Sequence, residues 1–185
     1  MGSERGGMLH HRPDMASLST GSCNFPTRVY ENPPDLVEEL AQKMSHYGVK
    51  PEIEVFDLAM LYNAVNYARN GLFRSPLHVQ FVLGVKHALP AERDILEFEV
   101  AKLRELMPAA TWVAAGIGCH QLEVNRWCLE MGGHCRTGLE DNVRWDKTRL
   151  AESNAELVKR VTDLCGEYDR VVASPEVARK ILGLN

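Results

Sequence analysis

Pro51-Glu52-Ile53-Glu54-Val55-Phe56-Asp57 is a short run bounded by a proline, and its continuation through residue 83 decides how the chain folds. Residues 58–70 read as an amphipathic helix that halts at Gly71, and His78-Val79-Gln80-Phe81-Val82-Leu83 is then a second short apolar run. A strand, a helix and a strand with short loops imply parallel strands joined by right-handed crossovers, so the fold class is α/β. The same alternation continues outward. Residues 14–18, 111–115 and 134–137 are further strands, each short and bounded by Gly or Pro.

The helices between them have readable ends. Asp35 can cap a helix that buries Leu36, Val37, Leu40, Met44 and Tyr47 and stops at Gly48. Residues 91–107 form a third helix, with Ile95, Phe98, Leu103 and Leu106 expected in the core and Pro108 ending it. Residues 121–131 form a fourth, stopped by Gly132-Gly133. A long helix over residues 150–168 is expected to bury Leu150, Leu157, Val158, Val161 and Leu164, and a last one starts at Ser174-Pro175 and ends at Gly183. A closed barrel needs eight strand–helix units in about 250 residues. This chain offers about five strands, so either the sheet is open or part of a barrel is missing. Residues 1–11 are Gly-rich, polar and without period, and read as an irregular lead-in; residues 12–185 form the folded unit.

Composition narrows the function. With 185 residues, 45% of them hydrophobic, the chain can bury a real core. A net charge of -4 and a pI near 6.0, with no Lys/Arg run longer than a pair, exclude broad attraction to nucleic acid. No apolar stretch approaches the roughly 18 residues of a membrane helix, and no secretory h-region is present, which points to a cytoplasmic setting without membrane partners. The five cysteines, Cys23, Cys119, Cys128, Cys135 and Cys165, are odd in number and contain no C-x-x-C pair. They read as free thiols rather than a disulfide framework or zinc ribbon.

In α/β folds of this kind the site forms at the carboxyl ends of the strands. Gly132-Gly133-His134-Cys135-Arg136-Thr137-Gly138-Leu139-Glu140-Asp141-Asn142 ends one strand and concentrates Arg136, Glu140 and Asp141 within a turn's reach. A guanidinium there can keep one carboxylate ionised and leave the other to move a proton or bind a metal; a salt-bridged surface turn is the alternative. Period two puts Glu52 and Glu54 on one face of their strand, and Glu54, nearer the carboxyl end, needs a cation, for which Arg136 is the natural candidate. His78 and Gln80 share a face on the next strand, where a histidine is expected to be hydrogen-bonded core. The loop Ser19-Thr20-Gly21-Ser22-Cys23-Asn24-Phe25-Pro26 offers hydroxyls and an amide to ligand oxygens, or a turn satisfying its own backbone. Gly116-Ile117-Gly118 opens a helix and could let backbone N–H groups approach an anion, though the dinucleotide fingerprint is absent.

Taken with Arg12-Pro13-Asp14-Met15-Ala16-Ser17-Leu18, Gly48-Val49-Lys50-Pro51, Leu150-Ala151-Glu152-Ser153-Asn154 and the closing Ala178-Arg179-Lys180-Ile181-Leu182-Gly183-Leu184, these ordered motifs resemble the β-keto acid cleavage enzymes, the family typified by 3-keto-5-aminohexanoate cleavage enzyme. The resemblance runs from about Arg12 to the C-terminus. It implies a zinc-dependent TIM (β/α)8 barrel, usually a homo-oligomer, here truncated to about the last five βα units. Its activity would be that of an acyl-CoA-dependent, C–C cleaving transferase: a β-keto acid reacts with acetyl-CoA to give acetoacetate and a new acyl-CoA. Carried over by motif, Glu140 resembles the metal ligand, Asp141 the catalytic acid/base, Arg136 its partner, and Glu54 the end of that charge relay. Ser22 and Asn24 fall where the family holds substrate oxygens, and Gly116 and Gly118 are the candidate cofactor contacts.

One departure matters. The family's zinc (Zn2+) site also takes two histidines from an H-x-H pair on an early strand, and none of the seven histidines here forms one. His10-His11 are adjacent and on a strand would face opposite ways. The first strands are therefore expected to be missing, and zinc affinity to fall steeply with one ligand in place of three. Three readings stand: a partial chain of such an enzyme; a non-catalytic remnant that binds acyl-CoA or pairs with a full-length homologue; and a barrel aldolase of another metal class.

Overall fold

A computed structural model describes residues 5–184; residues 1–4 of the expected lead-in lie outside the described residues. In chain order the elements are β1 (Met15–Ser19), β2 (Cys23–Asn24), β3 (Val29–Tyr30), α1 (Pro34–Tyr47), β4 (Lys50–Val55), α2 (Leu58–Arg69), β5 (His78–Leu83), α3 (Arg93–Leu106), β6 (Thr111–Gly116), α4 (Gln121–Met131), β7 (His134–Cys135), α5 (Asn154–Cys165) and α6 (Pro175–Leu182). Five strands form one parallel sheet in the order β1-β4-β5-β6-β7, and β2 and β3 form a small antiparallel ribbon. The strand order never reverses. A doubly wound sheet reverses at a switch point, so this sequential order is that of consecutive units of a βα barrel, seen here as an open arc.

Alternation assigns the faces. Ile53 and Val55 on β4, Val79, Phe81 and Leu83 on β5, and Trp112 and Ala114 on β6 are at most 4% exposed and pack in one core with Leu61, Leu96, Leu103 and Val124 of the helices. The other, concave face receives Glu52, Glu54, His78, Gln80 and, beyond β7, Arg136. Because β5 is central it is buried along its whole length, as expected of a parallel strand covered on both sides. Gly133 is required between α4 and β7: a Cβ there would sit 2.4 Å from the Trp112 ring.

The lead-in is partly ordered. Leu9, in a 3-10 turn over Leu9–His11, is 4% exposed, and Arg5 stacks on Tyr30 and donates to Asn32 Oδ1. At the other end, α6 closes the amino-terminal side of the sheet. Arg179 donates to Asp14, and Lys50 Nζ bonds the carbonyl of Leu182. The polar carboxyl-terminal rim is left as the side open to ligands.

Three helices differ from expectation. α1 begins at Pro34 with Pro33 as its N-cap, and Asp35 sits inside the first turn, where the cap makes no side-chain hydrogen bond. α5 begins at Asn154 rather than residue 150, because Ser153 accepts the backbone N–H of Glu156 as its cap; Leu150 lies outside it and is 57% exposed, and Val158 faces solvent. On α3 the buried face is Leu96, Glu99, Val100 and Leu103, while Phe98 is half exposed. That is helical spacing, but one position is a carboxylate, so apolar content alone pointed to a different stripe.

Glu99 is 1% exposed, and neither carboxylate oxygen has a partner. Burial, and secondarily the charge of Asp57, pushes its pKa up to about 8. The folded chain therefore binds a proton that the unfolded chain releases near pH 4.5. Stability from this group is fully present below about pH 4.5 and is lost as pH rises through about 8. Glu99→Met should raise stability by on the order of 3–4 kcal/mol at pH 8 and far less at pH 5. Denaturant melts at the two pH values check this; an equal gain at both would mean that ionisation is not the cause.

Candidate active site

Arg136 is the centre of the rim. It comes directly after β7, where its own N–H donates to the carbonyl of Ala114, and its guanidinium grips Asp141 through two 2.8 Å bonds, Nε to Oδ2 and Nη2 to Oδ1. Nη1 reaches Glu54 Oε1 at 3.4 Å, and Nη2 lies 3.3 Å from Glu140 Oε2. Arg136 therefore holds strand β4 to the loop after β7, the link that alternation requires if Glu54 is to be neutralised. Burial works against its charge, yet the hydrogen bonds and charge of Asp141, then Glu140 and Glu54, leave its pKa raised.

Glu54 is satisfied from both neighbouring strands. Gln80 Nε2 donates to Oε1 at 3.0 Å, and Ser19 Oγ donates to Oε2 at 3.1 Å. The sheet register explains this, since Ser19, Glu54 and Gln80 are paired residues on β1, β4 and β5. Reading strands one at a time missed Ser19 and left Gln80 without a role; the shared parity of the three positions was the available signal.

The loop carrying Asp141 is pinned at several points. Gly118 N–H donates to the Asp141 carbonyl at 2.7 Å, Gln121 donates to the Gly138 carbonyl at 2.9 Å, and Asn154 Oδ1 accepts the N–H of Leu139 at 2.8 Å. Gly118 has φ +65° and Ile117 N–H is spent on Leu83, so the amides expected to cradle an anion are occupied. Gly116 instead allows close packing, as a Cβ there would meet the His120 carbonyl at 2.6 Å. Gly118 thus positions Asp141 by a backbone contact, while Gly116 packs against the turn at His120.

Above the ion cluster lies a cleft of about 590 Å3, walled by Phe25, Tyr30, Phe56, Lys86, Ile117 and the cluster itself. Phe25 stacks on Tyr30 at 5.2 Å and meets Phe56 edge-on at 5.6 Å, so the small ribbon supplies an apolar wall. Ser22 and Asn24 are not part of that wall: Ser22 Oγ accepts the N–H of Asn32 at 2.7 Å, and Asn24 is exposed opposite Val29. In this chain the serine satisfies its own loop.

Deeper on the concave face, His78 Nδ1 is 2.8 Å from Thr111 Oγ1, and its ring is 6.1 Å from that of His134. Burial, then His134 and Lys50, lowers its pKa to about 4. It is therefore neutral near pH 7, and its 3.7 Å approach to Glu52 is not an ion pair there. Burial and the charge of Glu54 raise the Glu52 pKa, against the pull of Arg136.

The residues present do not fit a zinc ion. Both Asp141 oxygens are committed to Arg136, the Glu140 side chain is 87% exposed, and among the described residues no three His, Cys, Asp or Glu side chains converge to hold a metal. His10 and His11 lie in the turn before β1.

The model of the family described as beta-keto acid cleavage enzyme matches residues 1–184. The chain belongs to the β-keto acid cleavage enzyme family. Among relatives in that family, the 3-oxoadipate:acetyl-CoA acetyltransferase of Cupriavidus necator is 61% identical over 183 residues, covering 99% of this chain and 64% of the relative. The 3-keto-5-aminohexanoate cleavage enzyme of Fusobacterium nucleatum is 42% identical over 173 residues, covering 93% of this chain and 62% of the relative. This chain thus spans somewhat under two thirds of the length of those family members. The apo structure of ObcA superposes with a TM-score of 0.83 at 22% identity, covering 93% of this chain and 44% of that one. That likeness supports the βα-barrel architecture read from the strand order.

Proposed function

We propose that this chain carries the acid–base machinery of an acetyl-CoA-dependent C–C cleaving transferase, acting on a β-keto acid to give acetoacetate and a new acyl-CoA. The observation that carries the reading is the rim cluster: a carboxylate held by a two-pronged guanidinium at the mouth of a cleft, in a chain of this family. Asp141 is the group that takes the proton from the carbon between the two carbonyls. Arg136 orients it through a planar fork, which a carboxylate matches and an ammonium does not. Glu54, fixed by Ser19 and Gln80, balances the remaining guanidinium charge and holds the fork in place. The carbanion so formed attacks the acetyl-CoA thioester carbonyl and expels the CoA thiolate; that thiolate adds to the keto carbonyl of the condensed product, and collapse of the adduct breaks the C–C bond, releasing acetoacetate and leaving the remaining acyl group on CoA.

A desolvated cluster suits this chemistry, because proton transfer is most efficient when the base is pre-positioned and water is kept out. Phe25, Tyr30 and Phe56 exclude water on one side of the cleft. Lys86, also in the cleft wall, offers a positive charge to a second substrate carboxylate, and 3-oxoadipate, named in the 61% identical relative, is the first substrate to try. Acetoacetate and a new acyl-CoA should form from 3-oxoadipate and acetyl-CoA, detected by mass spectrometry. Failure to form acetoacetate from 3-oxoadipate and from a panel of other β-keto acids would overturn the reading.

A further inference from the structure

Gln121, the first residue of α4, is wholly buried, and both polar atoms of its side chain are spent on the loop that carries Asp141 or on the helix behind it. Nε2 donates to the Gly138 carbonyl at 2.9 Å, and Oε1 accepts from Thr137 Oγ1 at 3.0 Å and from Arg160 Nη2 at 3.5 Å. The Gly138 oxygen is the pivot of the loop. It also accepts the backbone N–H of Asp141 at 3.3 Å and that of Asn142 at 3.2 Å, so the turn that presents Asp141 hangs on one carbonyl. Gly138 has no Cβ and a φ of +153°, and its backbone alone does not fix where that carbonyl points. The Gln121 amide makes the shortest of the three bonds to it.

A second element braces Gln121. Arg160 of α5 donates through Nη1 to the Trp145 carbonyl at 2.7 Å and lies over the Trp145 ring, 4.8 Å from its centroid. One guanidinium thus ties Gln121 to the returning half of the same loop, which closes on itself where Arg144 bridges Leu150. Arg160 Nε is buried without a hydrogen-bond partner, and such a group costs stability; a side chain kept only for packing would avoid that cost. We propose that Gln121, braced by Arg160, is a positioning residue that sets where Asp141 stands against the cleft. This role rests on the reading of Asp141 as the group that takes the proton.

Arg136 holds the Asp141 carboxylate from the strand side, but a fork can grip a carboxylate only where the backbone delivers it. That delivery comes from the segment joining β6 to α4. Gly118 N–H holds the Asp141 carbonyl at 2.7 Å, and Gln121, three residues on, holds the start of the turn. Two bonds from one short segment fix both the height and the tilt of the loop. Without the Gln121 amide the turn keeps only its own bonds at 3.2 Å and 3.3 Å, and a displacement of about 1 Å at a reacting group is enough to cost on the order of a hundredfold in rate. Substrate binding depends on the cleft walls, Phe25, Tyr30, Phe56 and Lys86, none of which Gln121 bonds. The effect therefore falls on kcat rather than on KM.

The test compares Gln121→Met with Asn125→Leu. Asn125 lies one turn on along the same buried face of α4, and neither atom of its side-chain amide has a hydrogen-bond partner, so its replacement disturbs the helix interior without touching the loop. Hydrogen exchange resolved to single amides by NMR, with no substrate present, should show the Asp141 and Asn142 amides exchanging at least about tenfold faster in Gln121→Met and as in the parent in Asn125→Leu. With 3-oxoadipate and acetyl-CoA, kcat in Gln121→Met should fall by about ten- to hundredfold at an unchanged KM, while Asn125→Leu keeps the parent's kcat. Gln121→Glu is the second variant. It keeps the shape and both accepted bonds and, ionised beside Arg160, has no proton to give Gly138, so it should loosen the same two amides. Unchanged protection in the Gln121 variants, equal loosening in Asn125→Leu, a rise in KM with kcat intact, or failure of both Gln121 variants to fold would each overturn the proposal. A parent without turnover would instead sink the assignment of the reaction, and the amide exchange would still decide whether Gln121 holds the loop.

Discussion

Asp141→Asn is expected to lower turnover of the β-keto acid by about two to four orders of magnitude, the usual effect of removing a positioned general base. The substitution keeps the shape of the side chain and removes the charge that Arg136 grips at 2.8 Å on both oxygens, so a proton role and a positioning role must be separated. Deuterium exchange at the carbon between the carbonyls, monitored by NMR without acetyl-CoA, does this, because exchange needs only the base. If Asp141 is the base, exchange stops in Asp141→Asn and continues, slowed, in Glu54→Gln. If exchange survives in Asp141→Asn and stops in Glu54→Gln, the roles are reversed and Glu54 is the proton acceptor. Thermal melts of both variants show whether the rim is still assembled when the exchange is read.

Arg136→Met should cost roughly 3–5 kcal/mol of stability, the loss typical of removing one partner from a largely buried pair. The Asp141 side chain is 4% exposed and that of Glu54 14%, and both are left without their cation. Arg136 itself is 24% exposed, so solvent screening places the loss toward the lower figure, or a fall in Tm of about 6–12 °C for a chain of this size. Arg136→Lys should lie between, since one ammonium cannot bond both Asp141 oxygens in a plane while reaching Glu54. The double variant Arg136→Met/Asp141→Leu should recover part of the loss, because no buried carboxylate is then stranded at the fork. A Tm unchanged in Arg136→Met would mean that the cluster is solvated in solution and holds nothing together.

The sequence by itself determined the class of the fold and the identity of the rim. Strand and helix ends are local events: Ser174 with Pro175 starts α6, Gly48 and Gly132 end α1 and α4 in the left-handed conformation, and each lies where its residue type predicts. The demand of Glu54 for a cation was also legible, because a carboxylate on an inward strand face must be paired wherever the chain goes. Only the tertiary structure decided what depends on neighbours distant in sequence. Register brings Ser19 and Gln80 to Glu54; docking of α3 beside α2 turns its Glu99 face inward in place of Phe98; the Asn32 amide takes Ser22 away from the cleft; and the Asp141 carbonyl takes the amide of Gly118. The reason is the same in each case. A hydrogen bond or a buried face is set by which groups meet after the helices dock, and local periodicity carries no information about the partner on the other side.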